Sequence, residues 1–582
     1  MRLTTVLIPF AFALTACDPD ASTPVEPDVD TGPAPTCDDG VDVDGDGVCD
    51  RVRADWSRDA TVPEGTDRGD VFGLGDARSG VATRGLGHAQ VWPVEVSGTL
   101  LPWAPMRRLY ANDTEDAALL AIQSNSRERL GFGTLDEMYA WLGLARADED
   151  GEAWPGVAWP PNVAPGDHLG AGVVDTQWGE ALTFSCATCH TAEFFGHTVV
   201  GMTNRRAQAN EYFYSASTFF PDLAPRIFQR MTDADAVEME MFVRTQERFG
   251  AVGLVLPQAR GLDTSLAQVG LSLARRGLDA HATRDLESEE SPRPNPLETF
   301  VADSKPAVWW TLRHKTRWLS DGSIVSGNPI FTNFLWNELG RGTDLDELEV
   351  WLDENRQIVD ELTVAAFATQ APRWSEIFPD RPIDVDAARR GQAHFESTCA
   401  SCHGTYEKDW SSEDPTRTTR VVYFEQTPVM DVGTSPQRRE GMAHFADRLN
   451  ELAISQAMGT VVEVQPGYVP PPLDGVFARY PYLHNQSVPT LCDLLTPAPE
   501  RTALFHLGPD ADPATDYDFD CVGLPTGGAV PAAWMEDPRN AYDTTRPGMS
   551  NQGHDAWLVD ADGAPKLSPE QRRELIEYLK TL

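Results

Sequence analysis

DVDAARRGQAHFEST, residues 384–398, runs straight into CASCH, residues 399–403. The first part reads as a helix that feeds directly into the cysteines, with Gly391 and Phe395 four residues apart on one face. At the other end of the chain LSPEQRRELIEYLKTL, residues 567–582, opens with a capping box, Ser568 and Gln571, and has Pro569 at its first helical position. Leu575, Leu579 and Leu582 form its apolar stripe. The Cys-x-x-Cys-His pattern occurs a second time, at Cys186-Ala187-Thr188-Cys189-His190.

Two cysteines spaced in this way can form thioethers to the two vinyl groups of one haem. The adjacent histidine then falls beneath the iron as its fifth ligand. A zinc knuckle or redox pair would also use CxxC, but zinc needs further Cys or His ligands at matching spacing, and here both copies end in histidine. Covalent haem c at Cys186, Cys189 and His190, and again at Cys399, Cys402 and His403, is therefore the expectation. The helices at 384–398 and 567–582 resemble the first and last helices of class I cytochromes c. In those proteins the glycine allows close crossing by an aromatic of the last helix, here Tyr578. This implies a C-terminal cytochrome c domain over 384–582.

The first site is less regular. Its lead-in, VVDTQWGEALTFS, shows no comparably clean helix, and Cys186 and Cys399 lie 213 positions apart. That leaves room for a second haem domain at 67–383, cytochrome-like and heavily elaborated. Amphipathic patterns cover roughly 114–123, 133–145, 233–249, 264–277, 344–369, 434–457 and 568–582, and strand signals are sparse. The fold class expected is mainly α: two cytochrome c-like haem domains with long loops and insertions and few short strands. Residues 282–297, polar and proline-containing, read as an exposed loop.

Composition narrows the function. With 47 basic and 89 acidic residues the formal charge of the 582-residue chain is −42, which repels nucleic acid and anionic lipid. Met1-Arg2, the apolar run Leu3–Leu14 and Leu14-Thr15-Ala16-Cys17 read as a lipoprotein signal over 1–16, with Cys17 the lipidated residue. An ordinary cleaved signal is the other reading. Either implies export to the periplasm or cell surface, with membrane attachment only through lipid. Residues 17–66 read as an acidic Pro/Asp-rich tether. Within it Asp42, Asp44, Asp46 and Asp50 alternate around glycines and can hold calcium, although position twelve of an EF-hand would be Arg53; a merely solvated acidic linker is the alternative. Of nine cysteines, Cys37 with Cys49 and Cys492 with Cys521 remain for disulfides.

Three further segments go beyond a generic cytochrome: KPAVWWTLRHKTRWLSDG (305–322), ARYPYLHNQSVPTLCDLL (478–495) and RPGMSNQGH (546–554). With the CxxCH sites they resemble the di-haem cytochrome c peroxidase superfamily, and within it the bacterial rubber oxygenase-like (RoxA-like) branch. Gln486 stands where that branch usually has glycine, and Met549 where it has asparagine. The resemblance implies unequal haems. His403 and His554 would hold the C-terminal iron from both sides, making it an electron-transfer centre. His190 would leave the opposite face of the N-terminal iron to oxygen or peroxide. Without the resemblance, Met430, Met442, Met458, His444 and His484 compete with His554.

Trp309 and Trp310 can carry an electron or shape the pocket, with Trp310 placed beside His190 in the catalytic set; core packing is the alternative. His197 is a surface residue or approaches the first haem. Ile324, Val325 and Phe331 are candidates for its open side. The expected activity is a haem-dependent oxidoreductase, oxygenase or peroxidase, acting with a small oxidant, an apolar organic substrate and an external electron donor or acceptor. The competing expectation is a pure electron carrier with no substrate pocket.

Overall fold

Arg78–Val91 forms a helix despite three glycines, because its packing partner, the helix Arg356–Ala368, rewards them. A Cβ on Gly85 would stand 1.9 Å from the Glu361 carbonyl oxygen and 2.7 Å from the Ala365 Cβ. The helices Val385–Thr398 and Pro569–Leu579 cross in the same way. There a Cβ on Gly391 would stand 2.0 Å from the Glu574 carbonyl and 2.9 Å from the Tyr578 Cβ. Tyr578 is fully buried, as the sequence leads one to expect, and Phe395 lies against it at 5.3 Å. Each crossing centres on a glycine because only backbone against backbone allows that approach.

This computed structural model describes residues 40–41, 51–92, 98–111, 114–146, 163–165, 168–560 and 564–582. The signal segment, Cys17, Cys37, Cys49 and the candidate calcium ligands Asp42, Asp44, Asp46 and Asp50 lie outside them. Helix accounts for 43% and strand for 12%, so the chain is mainly α with few short strands.

The two glycine-centred crossings differ in what separates helix from haem motif. In the C-terminal pair the helix Ala400–His403 comes at once. In the N-terminal pair residues 98–184 intervene. They include an antiparallel sheet ordered Leu101–Pro102, Gly179–Phe184, Ala171–Thr176 and Val163–Pro165. With the helices Ala209–Phe219, Pro225–Thr232 and Ala236–Gly250 beyond the motif, this insertion builds its own apolar core around Leu109, Leu142, Phe184, Phe213 and Phe242. A strand, not a helix, leads into Cys186, because the helix serving that role lies about a hundred residues upstream.

The two halves interlock. Residues 442–462 lie beyond the 384 boundary but pack in the N-terminal core, with Phe445, Leu449 and Ile454 against Leu266 and Trp336. Strand Val461–Val462 pairs with Ile324–Ser326. Conversely Phe194, Phe195 and Trp310 pack among Phe477, Tyr480 and Tyr517. A buried Arg205 donates through Nε to Asp510 at 2.7 Å, and Asp510 also accepts from the Tyr480 hydroxyl, so one ion pair pins the halves together.

Two further expectations change. Composition marks residues 51–66 as tether, yet Ala60 and Val62 are buried and Trp56 packs against Trp318 and Phe367 at 6.2 and 5.7 Å. Within the 282–297 loop a short helix, Leu286–Glu290, forms under an Asp285 cap.

Candidate haem sites

Both CxxCH motifs fold as a single helical turn, Ala187–His190 and Ala400–His403, which puts the cysteines and histidine on one face. In each turn the histidine is anchored through Nδ1. The His190 Nδ1–H donates to the Ala307 carbonyl at 2.9 Å, and the His403 Nδ1–H donates to the Pro471 carbonyl at 2.8 Å. That choice of tautomer leaves Nε2 with its lone pair free to bind a metal. Burial holds both imidazoles neutral, pushing each down to about 4 against the help of its carbonyl partner.

Burial pushes the thiols of Cys186 and Cys189 up to about 12, and that of Cys399 up to about 11. Among the described residues no cluster of three or more His, Cys, Asp or Glu is arranged to hold a metal ion. The donor set fits thioether attachment of a porphyrin with one histidine beneath it.

The face opposite His403 distinguishes the candidates that the sequence leaves open. His554 faces it, ring centre to ring centre at 6.2 Å and 60° between planes. Two metal–imidazole bonds of about 2 Å take up most of that span, and the two ring radii take up the rest. The others point elsewhere. His484 stacks on Tyr468 at 4.1 Å, His444 lies edge-on to Phe300, and Met442 is buried against Arg438. Met458 packs on the N-terminal core, and Met430 bridges to Tyr468 through its backbone.

His554 is aimed by backbone conformation. Its φ is +56°, its N–H donates to the Val432 carbonyl at 2.7 Å, and the Trp557 indole donates to its carbonyl at 3.0 Å. Gly553 packs so tightly on Gly433 that a Cβ would stand 2.2 Å from the Gly433 carbonyl carbon. The matched segments meet here: the Asn485 side chain donates to the carbonyls of Gly548 and Ser550, each at 3.0 Å. Gln486 has φ +62°, which accounts for glycine being usual at that position. Met549 is fully buried.

At the N-terminal site the ring against His190 is Trp309, at 5.2 Å and 32°. Trp310 follows it directly in the chain. Adjacent residues in a tight turn point to opposite sides, so Trp310 leaves His190 and donates its indole N–H to the Asp474 carbonyl at 2.8 Å. Ile324 joins Trp309 in the core beside Cys186, and the half-buried Phe331 packs against that core; Val325 is buried outside it. His197 is exposed on its strand. Cys492 and Cys521 form a disulfide.

A set of residues that sequence reasoning missed brackets both crossings. Arg84 and His88 flank Gly85 and grip Glu361 at 2.8 and 2.7 Å. Arg390 and His394 flank Gly391 and grip Glu574 at 2.5 and 2.9 Å. The signal is present in the sequence as RGLGH, residues 84–88, against RGQAH, residues 390–394.

Among the described residues no helix is long and apolar enough to cross a membrane. Residues 467–506 match a family model described as RoxA-like, cytochrome c-like. That stretch contains Pro471, which holds His403, and Asn485, which holds the His554 loop. The uncharacterized protein y4iJ of Sinorhizobium fredii (strain NBRC 101917 / NGR234) is 26% identical over 548 residues, 79% of this chain and 85% of that protein. The uncharacterized protein y4iM of the same strain is 31% identical over 239 residues, 34% of this chain and half of that protein. The matched stretch and the sites together support a haem-binding, cytochrome c-like domain in this chain.

Proposed function

We propose that the protein is a di-haem c-type cytochrome oxidoreductase, exported and lipid-anchored at Cys17, whose two haems do different work. The haem at His190 activates oxygen or peroxide, and the haem at His403 exchanges electrons with it and with an outside donor or acceptor. The observation that carries this reading is the unequal facing of the two histidines. His554 stands 6.2 Å across from His403, whereas among the described residues the ring against His190 is Trp309 at its side.

When bound, haem iron supplies small-oxidant binding at a free axial position and one-electron exchange at any. The protein decides which of these each site performs. His403 and His554 would hold the iron of the second site between them and so leave no room there for substrate. At the first site the Ala307 carbonyl fixes the His190 tautomer, and Trp309 and Ile324 give the surroundings an apolar wall. An apolar wall suits an apolar organic substrate and keeps bulk water from competing with the oxidant.

The Trp309-Trp310 pair links the sites. Trp309 packs on His190, and Trp310 donates to the 471–474 loop whose Pro471 carbonyl holds His403. An electron passing between the sites has a short path there through aromatic rings and hydrogen bonds. Oxidative cleavage of an apolar alkene or polymer is the leading reaction, since the matched segment is RoxA-like; fold likeness alone does not fix chemistry. Holo-protein is to be titrated with cyanide and with peroxide, followed by oxygen uptake on a polyisoprene emulsion. The expected result is one responsive iron per chain and substrate-dependent oxygen consumption. Two low-spin irons that ignore both ligands would end the enzyme reading and leave an electron carrier.

A further inference from the structure

Lys305, Lys315 and Arg479 come together beside the 471–474 loop, deep in the protein. Lys315 is 5% exposed and its ammonium has no hydrogen-bond or ion-pair partner among the described residues. Lys305 donates through Nζ to the carbonyls of Arg479 and Pro481, each at 2.7 Å, so its two partners are neutral. Arg479 donates through Nη1 to the Pro472 carbonyl at 2.6 Å, one residue from the carbonyl that holds His403.

Arg479 lies close enough to each lysine for both to feel its charge. Burial pushes both lysines down, and the Arg479 charge adds to it and reaches His403 as well. The one carboxylate near Arg479 is Asp474, whose Oδ2 is buried without a hydrogen bond. Arg68 adds a further buried cation beside Lys315, with Nε and Nη2 unpartnered. Packing these cations into the interior, with no acid acting on either lysine, is costly unless an anion sits among them. A porphyrin of the haem type carries a pair of propionate carboxylates on the edge away from its vinyl groups, and these supply that anion.

We propose that Lys315 and Arg479, backed by Lys305, cradle the propionates of the porphyrin attached at Cys399 and Cys402. This rests on the haem reading of the second CxxCH site. The cradle sets the reduction balance of that iron. A cation against a propionate offsets negative charge near the metal, so its removal favours the ferric state. It also steadies the porphyrin from the side opposite the thioethers.

The test uses the full holo-protein and two substitutions, Lys315→Met and Lys315→Arg, with haem content, visible spectra and spectroelectrochemical titration as readouts. In Lys315→Met both haems are retained. At the wild-type midpoint of the bis-histidine haem, its ferric-to-ferrous ratio rises at least threefold, the other haem is unmoved, and Lys315→Arg restores the balance. If Lys315→Met fails to mature, Lys315→Gln takes its place. Loss of the second haem alone in either neutral variant, restored by arginine, also supports the cradle. An unmoved midpoint, a shift confined to the His190 haem, or a shift that arginine does not restore would overturn it. Wild-type protein with no haem at Cys399 and Cys402 would instead overturn the reading on which it rests.

Discussion

The helix pair Arg78–Val91 with Arg356–Ala368 and the pair Val385–Thr398 with Pro569–Leu579 are built on one plan. Each has a glycine under a carbonyl, an arginine just before that glycine, a histidine three residues after it, and a glutamate across from both. They differ in the length of chain between that glycine and the haem motif. From Gly391 to Cys399 is 8 positions, and from Gly85 to Cys186 is 101, filled in part by a sheet and helices that contribute to a separate core. They differ also across the haem face, where His403 has an imidazole opposite it and His190 a tryptophan beside it. A shared crossing therefore fixes the two frames, while segments far from the crossing decide what faces each histidine.

The sharpest way to break that contrast is His554→Ala. Removing the facing imidazole gives the second site an open axial position, so cyanide-binding irons per chain rise from one to two. Optical titration reads this directly. An unchanged count of one would mean that His554 is not the ligand. Next in size is a side chain in the crossings. Gly391→Val and Gly85→Val each force a methyl-bearing carbon into a carbonyl about 2 Å away, so each costs about 3 kcal/mol or more. Thermal unfolding of both variants shows whether the two frames matter equally. A loss at Gly391 with none at Gly85 would end the parallel.

The smallest effect concerns the glutamates. Burial works to raise the Glu361 carboxyl, but hydrogen bonds from Arg84, His88 and Gln357 outweigh it and hold it below its usual value of 4.5. A depressed acid contributes stability that is present above the unfolded value and lost as pH falls through the folded one. His88, held down by burial and only partly raised by Glu361, works in the same direction. Glu361→Gln therefore costs about 1 kcal/mol at pH 7, and the cost shrinks toward zero in acid below that usual value. The same change at Glu574 costs less, since its partner His394 is 19% exposed where His88 is 7% exposed. Denaturant titration at neutral and acid pH separates the two.

The C-terminal frame was legible because its parts are contiguous and capped: an amphipathic helix touches its CxxCH, and Ser568 and Gln571 announce the last helix. The N-terminal frame was not. Gly80, Gly85 and Gly87 weaken the helical pattern of residues 78–91, and the motif it serves lies far along the chain. Only the repeated Arg-Gly-x-x-His would have revealed it. His554 could be named from its segment as the facing histidine, but its aim depends on a left-handed backbone and on Gly553 meeting Gly433, contacts that no local pattern encodes. The choice between Trp309 and Trp310 hung on which side of one turn each faces. Residues 51–66 have the composition of a tether, yet a single aromatic, Trp56, is enough to seat them on Trp318 and Phe367.

The central claim is that the two irons are unequal because the chain gives one a second histidine and leaves the other open. Electron paramagnetic resonance of the oxidised holo-protein, recorded with and without cyanide, tests it most directly. One low-spin signal that cyanide leaves untouched and one signal that cyanide converts are expected. Two untouched low-spin signals, two converted ones, or a single haem per chain would contradict it.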